Sequence, residues 1–510
     1  MSQGKKIAPP PSLFVPAVGL YDHIPKNHFY EQLNRVLDLS FVRELMRPLY
    51  AEKLGRPSLD PVVFFKCLLV GFFENITHDT ELEYRIADSL TFRKFLGYSL
   101  EERTPDESTL RKTRQRMPEE LFRAVFDRVL DMCQGQGLVK WRAVGVDSTP
   151  VEANASMDSL RHRELGCTYE EYMLALKRQE SPGASVSEAK QADRERPGKA
   201  SNADWVSPTD SEARVAQHPD KHTHLSYKVD TSVDLETGVI VSVGAEAADV
   251  SDQSDFLGKV DEVVLRGEER GFSAPVIVAD KGHHSGENLA ALEERGVVGV
   301  VSSPRNGRGA VGYRQGDFKH DEETDTLECP AGQTLVRVEK FHRTHRRYQA
   351  KGDVCRVCPH FGVCTRSKEG RGVSISLHDG AIRRNRERCY SEGGRALLGI
   401  RRQRGEGPFG YFKQFGGMRR MSGRGLSFVW KKALMAGAGW NLLILLKNLA
   451  LQGPSAALSA VFGTVMAALW LLQVLTEASQ GPLLALRNPI ALPHNRQSRA
   501  CQNPHLSGGC

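Results

Sequence analysis

Two short apolar runs, each stopping at an aspartate, constrain this chain more than any other feature. RAVGVDSTPV (142–151) carries one that ends at Asp147, and APVIVAD (274–280) carries one that ends at Asp280. Short apolar runs rich in β-branched residues suit strands buried on both faces, which occur in sheets covered by helices. The surrounding pattern agrees. LSYKVDTSV, the turn DLETG and VIVSVGAEA read as a hairpin over 222–248. Asp252 to Arg270 suits an amphipathic helix, Lys281-Gly282 turns the chain, GENLAALEERG is a helix closed by glycine, and VVGVVSSP is a further strand. Strands alternating with helices indicate an α/β core.

The 510 residues are too many for one ordinary domain. The reading divides them into a loose, Pro-rich segment 1–29, an all-α domain 30–135, an α/β domain 136–450 and a C-terminal tail 451–510. The α/β domain carries insertions at about 155–220, which is polar, and at about 305–375, which holds four cysteines. In the all-α part, Asp60-Pro61 sets an N-cap before a proline at the first helical position. Thr104-Pro105-Asp106-Glu107 reads as a second start, with Thr104 as cap and Glu107 closing a capping box. The helix it opens carries Arg111, Lys112, Arg114 and Arg116. A solvated charged face is the common explanation, and a DNA-contacting face with Arg111 and Arg114 is the sharper one.

Residues 380–432 read as helical and strongly basic, with IRRNRER, GIRRQRGEG and KQFGGMRRMSGRG, and residues 433–450 as an apolar helix containing Trp440. The net charge of +7 is a mild bias, so its local clustering matters more than its sum. No secretory signal opens the chain, and the expected location is the cytoplasm, on the nucleoid when bound to DNA. The uncharged stretch 454–474 is long enough to span a bilayer, yet it is rich in Ala, Gly and Ser and lacks a close basic flank. A buried or tail helix is expected there, not a membrane span.

Two strands ending in acids, followed by Glu406 inside a basic segment, suit phosphoryl transfer on DNA. An in-line attack at phosphorus develops charge on the attacking and leaving oxygens, which two divalent ions about 3.5–4 Å apart can stabilise. Mg²⁺ takes hard oxygen ligands, usually a few carboxylates with water and substrate phosphate. Taken singly, Asp147 or Asp280 would be a turn former or helix cap, and Glu406 a surface charge. Their order and context carry the argument.

In that order the sequence resembles the DDE transposases of bacterial insertion sequences, in the branch with a Tyr-Arg-Glu-Lys signature, over roughly residues 30–450. VGVDSTPVEA resembles the family's first-aspartate segment, VIVADKGHHSGENL its Asp-x-Gly-Tyr segment, and RRQRGEGPFGYFK its glutamate region. DPVVFFKCLL and TPDESTLRKTRQRM resemble the accompanying N-terminal domain. The resemblance implies a ribonuclease H-like core with Asp147, Asp280 and Glu406 as catalytic ligands of Mg²⁺ or Mn²⁺. It further implies binding of transposon ends and target DNA, nicking by water, strand transfer by a 3′-hydroxyl, and a homodimer on DNA. Arg402 and Lys413 match the signature's cations, with three and six residues intervening around Glu406. They would contact phosphate near the scissile bond. On one helix these three would share a face. The signature tyrosine is replaced by Gly399 and the Asp-x-Gly-Tyr tyrosine by His283. Gly405, Gly407, Pro408 and Gly410 make a poor helix interior, so a restart at Pro408 is an alternative.

Cys355-x2-Cys358, Cys364 and the upstream Cys329 form a metal-like set that would close a tetrahedral zinc site, with His360 as a substitute ligand and free thiols as the plain alternative. Cys67 and Cys133, in apolar helices, read as core residues, and His222 and His224 as strand-face residues. Three rivals stand beside the transposase reading. One is a decayed or domesticated relative that only binds DNA, another a zinc-held interaction module, and the last a nuclease that cannot join strands.

Overall fold

The computed structural model describes residues 19–50, 58–195, 201–218, 221–303, 312–321, 323–338 and 344–452. The uncharged stretch 454–474, most of the expected tail and much of the N-terminal segment lie outside them. The described residues up to Leu446 form one compact unit.

The N-terminal part is helical, as the capping signals require. α1 (Pro61–Phe73) starts at Asp60, whose side chain accepts from Val62 N. Arg43 reaches the same carboxylate at 2.7 Å, so the cap also ties two helices together. α1 is apolar almost all round and nearly wholly buried, as a central helix must be. α2 (Asp79–Asp88) packs beside it, and α3 (Glu107–Arg116) packs on α2. The expected start of α3 shifts: Asp106, not Thr104, is the cap, and it accepts from Thr109 N at 2.7 Å. An aspartate three residues before a free N–H caps as well as a threonine, and here it wins by position. α4 (Glu119–Gly135) joins this layer to the core.

The core is a six-stranded mixed sheet. Its strands are β1 (Ala143–Glu152), β2 (Arg214–Gln217), β3 (Thr223–Asp234), β4 (Ile240–Ala247), β5 (Val276–Ala279) and β6 (Gly299–Val301). β3 and β4 are the expected hairpin. β3 also pairs antiparallel with β1, and β2 joins it along the edge that β4 uses. From β1 onward the pairing is parallel, β1 to β5 and β5 to β6. The parallel links require crossovers, supplied by α5 (Phe256–Glu268) and α6 (Gly286–Glu294). The polar insertion thus returns to the main sheet through β2 before the hairpin begins.

After β6 the second insertion forms its own five-stranded antiparallel sheet. Its strands are β7 (Lys319–Asp321), β8 (Thr326–Glu328), β9 (Thr334–Val338), β10 (His345–Gln349) and β11 (Gly372–Ser376). The chain then re-enters the core through α7 (Asp379–Tyr390) and α8 (Glu392–Gln414). Two expectations change here. α8 runs unbroken through Gly405, Gly407, Pro408 and Gly410, because packing on the sheet overrides weak local propensity. The helical reading of 380–432 is interrupted after Gln414, and α9 (Leu426–Gln452) follows. α9 is long and apolar enough to cross a membrane, but over half of its apolar window is buried within the protein. Asn441 on α9 bonds both the N–H and the C=O of Ile240 at 2.8 Å, which fixes it as a core helix against the hairpin.

Candidate active site

The expected strand end at Asp147 is not what forms: β1 runs on through it to Glu152 because β3 keeps pairing with it, while the parallel pairing with β5 stops at Val146, so Asp147 sits mid-strand and Asp280 just past the end of β5. Val146 lies opposite Ala279, so the residues that follow them, Asp147 and Asp280, are neighbours. α8 crosses this edge of the sheet. Its inward residues are Arg401, Gly405, Pro408 and Phe412, four or three apart, and all are buried. The approach needs glycine at one position and uses it at another. A Cβ on Gly145 would come within 2.8 Å of the Leu235 side chain and 3.3 Å of Arg401 Cγ. A Cβ on Gly405 would lie 3.6 Å from Asp147 Oδ2, so α8 rests directly over that carboxylate.

Asp147 accepts from Ser148 N at 2.9 Å and lies 2.8 Å from Arg401 Nη2 through the same oxygen, Oδ1. Burial pushes its carboxyl up, and the nearby Asp280 adds to this. The Arg401 charge and the Ser148 N–H oppose it without prevailing. Asp280 behaves oppositely. It caps a short 3-10 turn, accepting from Gly282 N at 2.8 Å, and His283 Nδ1 donates to it at 2.9 Å. The His283 hydrogen bond, against burial, holds the Asp280 carboxyl at about 2. His283 is thus a buried orienting group where the resemblance led one to expect tyrosine. Both aspartates keep Oδ2 free of hydrogen bonds among the described residues. Two hard, unshared carboxylate oxygens on adjacent strands fit a divalent cation such as Mg²⁺.

Glu406 follows Gly405 on the exposed side of α8 and has no hydrogen bond or ion pair among the described residues. Arg402 is exposed one turn earlier. Lys413 is half-buried and donates to Thr149 Oγ1 on β1 at 2.7 Å, while burial lowers its ammonium. The signature residues therefore lie along one side of one helix beside β1, as their spacing required. The three acids do not close on each other: among the described residues, the one group of three candidate ligands within 4.8 Å is Glu152, His218 and His224. Of these, His218 already shares a hydrogen bond with Ser226 Oγ at 2.7 Å.

Sequence reasoning missed two members of the site. Arg401 was hidden beside Arg402 in a basic run, where composition cannot say which arginine turns inward. Asp252 follows the hairpin and accepts from Ser148 Oγ at 2.8 Å and from Lys228 Nζ at 2.9 Å. Burial would raise its carboxyl, but Lys228 and Ser148 hold it below the ordinary value. A Cβ on Gly282 would lie 3.0 Å from oxygens of both Asp252 and Asp280, so the two acids flank one glycine. The residues proposed on the N-terminal basic helix are engaged differently. Arg111 pairs with Glu107 on its own helix at 3.2 Å. Arg114 is largely buried and gives both terminal nitrogens to Asp79 at 2.7 Å. Cys329, Cys355, Cys358 and Cys364 gather around one small cavity in the insertion.

Comparison with known proteins adds the following. Residues 18–116 match the family model described as "Transposase domain (DUF772)", and residues 328–446 match "Transposase DDE domain". The second match includes Arg402, Glu406 and Lys413. Among curated proteins no sequence matches. Two solved structures are similar. One is the piggyBac transposase synaptic complex with hairpin DNA (10% identity, TM-score 0.32, 83% of this chain and 76% of that one). The other is the Mos1 transposase paired-end complex with the left transposon end (9% identity, TM-score 0.16, 49% of this chain and 61% of that one). Likenesses with TM-scores this low carry no argument.

Proposed function

We propose that this chain, a DDE transposase of the insertion-sequence kind, binds the ends of its element and cuts and joins DNA strands at Asp147, Asp280 and Glu406. The observation that carries the reading is the meeting of β1, β5 and α8: parallel register sets Asp147 beside Asp280, and Gly405 brings the Glu406 turn of α8 against Asp147. Three antiparallel strands followed by two parallel ones, with one acid in the middle of the first and another just after the fourth in chain order of the main strands, support a ribonuclease H-like core.

Bound Mg²⁺ or Mn²⁺ would stabilise the charge on the attacking and leaving oxygens. The protein's own residues do the rest. Arg401 fixes the orientation of Asp147, and His283 fixes that of Asp280. Arg402 and Lys413 offer cations on either side of Glu406 to the phosphate backbone. In the proposed division of labour the helical 30–135 domain contributes to DNA binding, the 136–450 domain does the chemistry, and two copies act on DNA in the cytoplasm.

A second reading is favoured by one observation. Arg401 already neutralises Asp147, which suits a relative that has kept its DNA grip and lost cleavage. The discriminating experiment is nicking of the element's own ends with Mg²⁺, Mn²⁺ or EDTA, in the parent and in Glu406→Gln. Metal-dependent nicking lost in the variant supports the enzyme. Glu406 is exposed and unpaired among the described residues, so the variant should melt within about 0.5 kcal/mol of the parent. Tight binding without nicking in the parent supports the relic.

A further inference from the structure

The insertion that carries β7–β11 has a small core, centred on Phe318, Leu327, Leu335 and Tyr348. Its segment from Gly352 to Thr365 contributes little to that core. Val357 is 85% exposed, Val363 53% and Phe361 39%. Apolar burial therefore does not hold this segment down, and its regular structure is one five-residue helix, Gly352–Arg356, and one isolated bridge, Phe361 to Thr365. Its cysteines are what face inward: Cys355 and Cys364 pack against the core, as does Cys329 from the β8–β9 turn.

We propose that Cys329, Cys355, Cys358 and Cys364 bind one structural zinc ion, which staples this segment to the β8–β9 turn. Two stretches of chain, the β8–β9 turn and the 352–365 segment, deliver the thiols to one small cavity. Cys329 opens the tight turn after β8, where Gly332 N donates to Cys329 O at 2.8 Å with Gly332 at φ +72°. Cys355 and Cys358 are joined by a turn in which Cys358 N donates to Cys355 O, and Cys364 N donates to His360 O.

Two backbone donors point at the sulfurs. Gln333 N donates to Cys329 Sγ at 3.3 Å and Arg371 N donates to Cys355 Sγ at 3.4 Å. Backbone N–H groups aimed at sulfur are the outer contacts that orient and stabilise metal-bound ligands. All four cysteines are free of disulfides. His360, the substitute ligand weighed from sequence, turns its ring nitrogens to Tyr313 Oη at 3.2 and 3.3 Å, which leaves the four sulfurs as the donor set. A set of soft thiolates selects zinc over Mg²⁺, so this site stands apart from the carboxylate one. No three of the sulfurs lie within 4.8 Å of one another, so the ion would draw them inward across the cavity and release the thiol protons.

The test is metal analysis of the full-length chain purified without chelator. About one zinc per chain is expected in the parent and in Cys167→Ser, with loss to background in Cys329→Ser and Cys358→Ser. Zinc near zero in the parent after incubation with equimolar Zn²⁺, or equal zinc in all four proteins, would overturn the proposal. Should the serine variants not fold, Co²⁺ exchanged into the parent decides it. Tetrahedral four-thiolate charge-transfer and visible bands support the site, and an octahedral aqua-like spectrum refutes it. Neither readout depends on DNA cleavage, so failure here leaves the transposase reading intact.

Discussion

Arg401 Nη2 stands 2.8 Å from Asp147 Oδ1, with side chains only 9% and 15% exposed, and so a proposed metal ligand is also half of a buried ion pair. Neither Arg401 Nε nor Nη2 makes a well-aligned hydrogen bond among the described residues, so its charge depends heavily on the ion pair with that one carboxylate. Removing one partner of such a pair costs about 3–5 kcal/mol because the other charge stays buried alone. Asp147→Asn should therefore lose cleavage, keep DNA binding and also melt several degrees lower. Adding Arg401→Met should restore much of the melting temperature but none of the cleavage. A melting point for Asp147→Asn equal to that of the parent would refute the pair's structural role.

Gly405 should separate stability from activity. Alanine in place of an interior helical glycine gains about 0.5–1 kcal/mol. Its methyl would sit 3.6 Å from Asp147 Oδ2, an ordinary contact that the fold accepts. The same methyl covers the carboxylate oxygen left open for a cation. Gly405→Ala should melt higher than the parent and nick on the order of tenfold or more slowly. Unchanged nicking rates would mean that this oxygen is not used.

The two arginine sets should part in a salt titration. Arg402 is exposed and engaged with nothing among the described residues, so Arg402→Ala should weaken DNA binding and reduce the salt slope by about one. Arg114 gives both terminal nitrogens to Asp79. Arg114→Ala should lower the melting temperature while the slope stays as in the parent. A reversed pattern would move the DNA contact to the N-terminal helix.

Asp325 predicts a pH dependence in the insertion. Tyr348 Oη donates to it at 2.6 Å, Arg337 at 3.0 Å, and His320 Nε2 lies 3.4 Å away. The Tyr348 bond, with Arg337 and His320, holds its carboxyl at about 2 in the folded protein. A depressed folded value stabilises above the unfolded value of about 3.9 and is lost as pH falls towards 2. Asparagine tolerates the φ of +48° at this position, so Asp325→Asn removes charge without backbone strain. The variant should melt below the parent at pH 7, and the gap should shrink between pH 4 and pH 2. A gap constant over that window would show that the charge is not what stabilises.

Much of the local structure was legible because its causes are local. Asp60-Pro61 opens α1 as a cap before a proline should, and the DLETG turn joins β3 to β4. The start of α3 moved because Thr104 and Asp106 both suit a cap, and only the geometry of the first turn chooses between them. The unbroken α8 could not be read from RGEGPFG, whose glycines and proline argue against a helix by propensity. Those glycines have a tertiary reason at Gly405, where a larger side chain would crowd Asp147.

By itself the sequence determined the two strands that carry Asp147 and lead to Asp280, though not that the first runs on to Glu152, together with the helical N-terminal part, the cysteine-bearing insertion and the spacing of Arg402, Glu406 and Lys413. Period, capping and spacing are properties of neighbours along the chain, so they survive without a fold. Only the tertiary structure decided that Arg401 and not Arg402 turns inward to Asp147, that Asp252 joins the acids across 104 residues of separation, and that Cys329 meets the later cysteines. Those are matters of strand register and of which helix face meets the sheet, and a one-residue shift in either would exchange every partner.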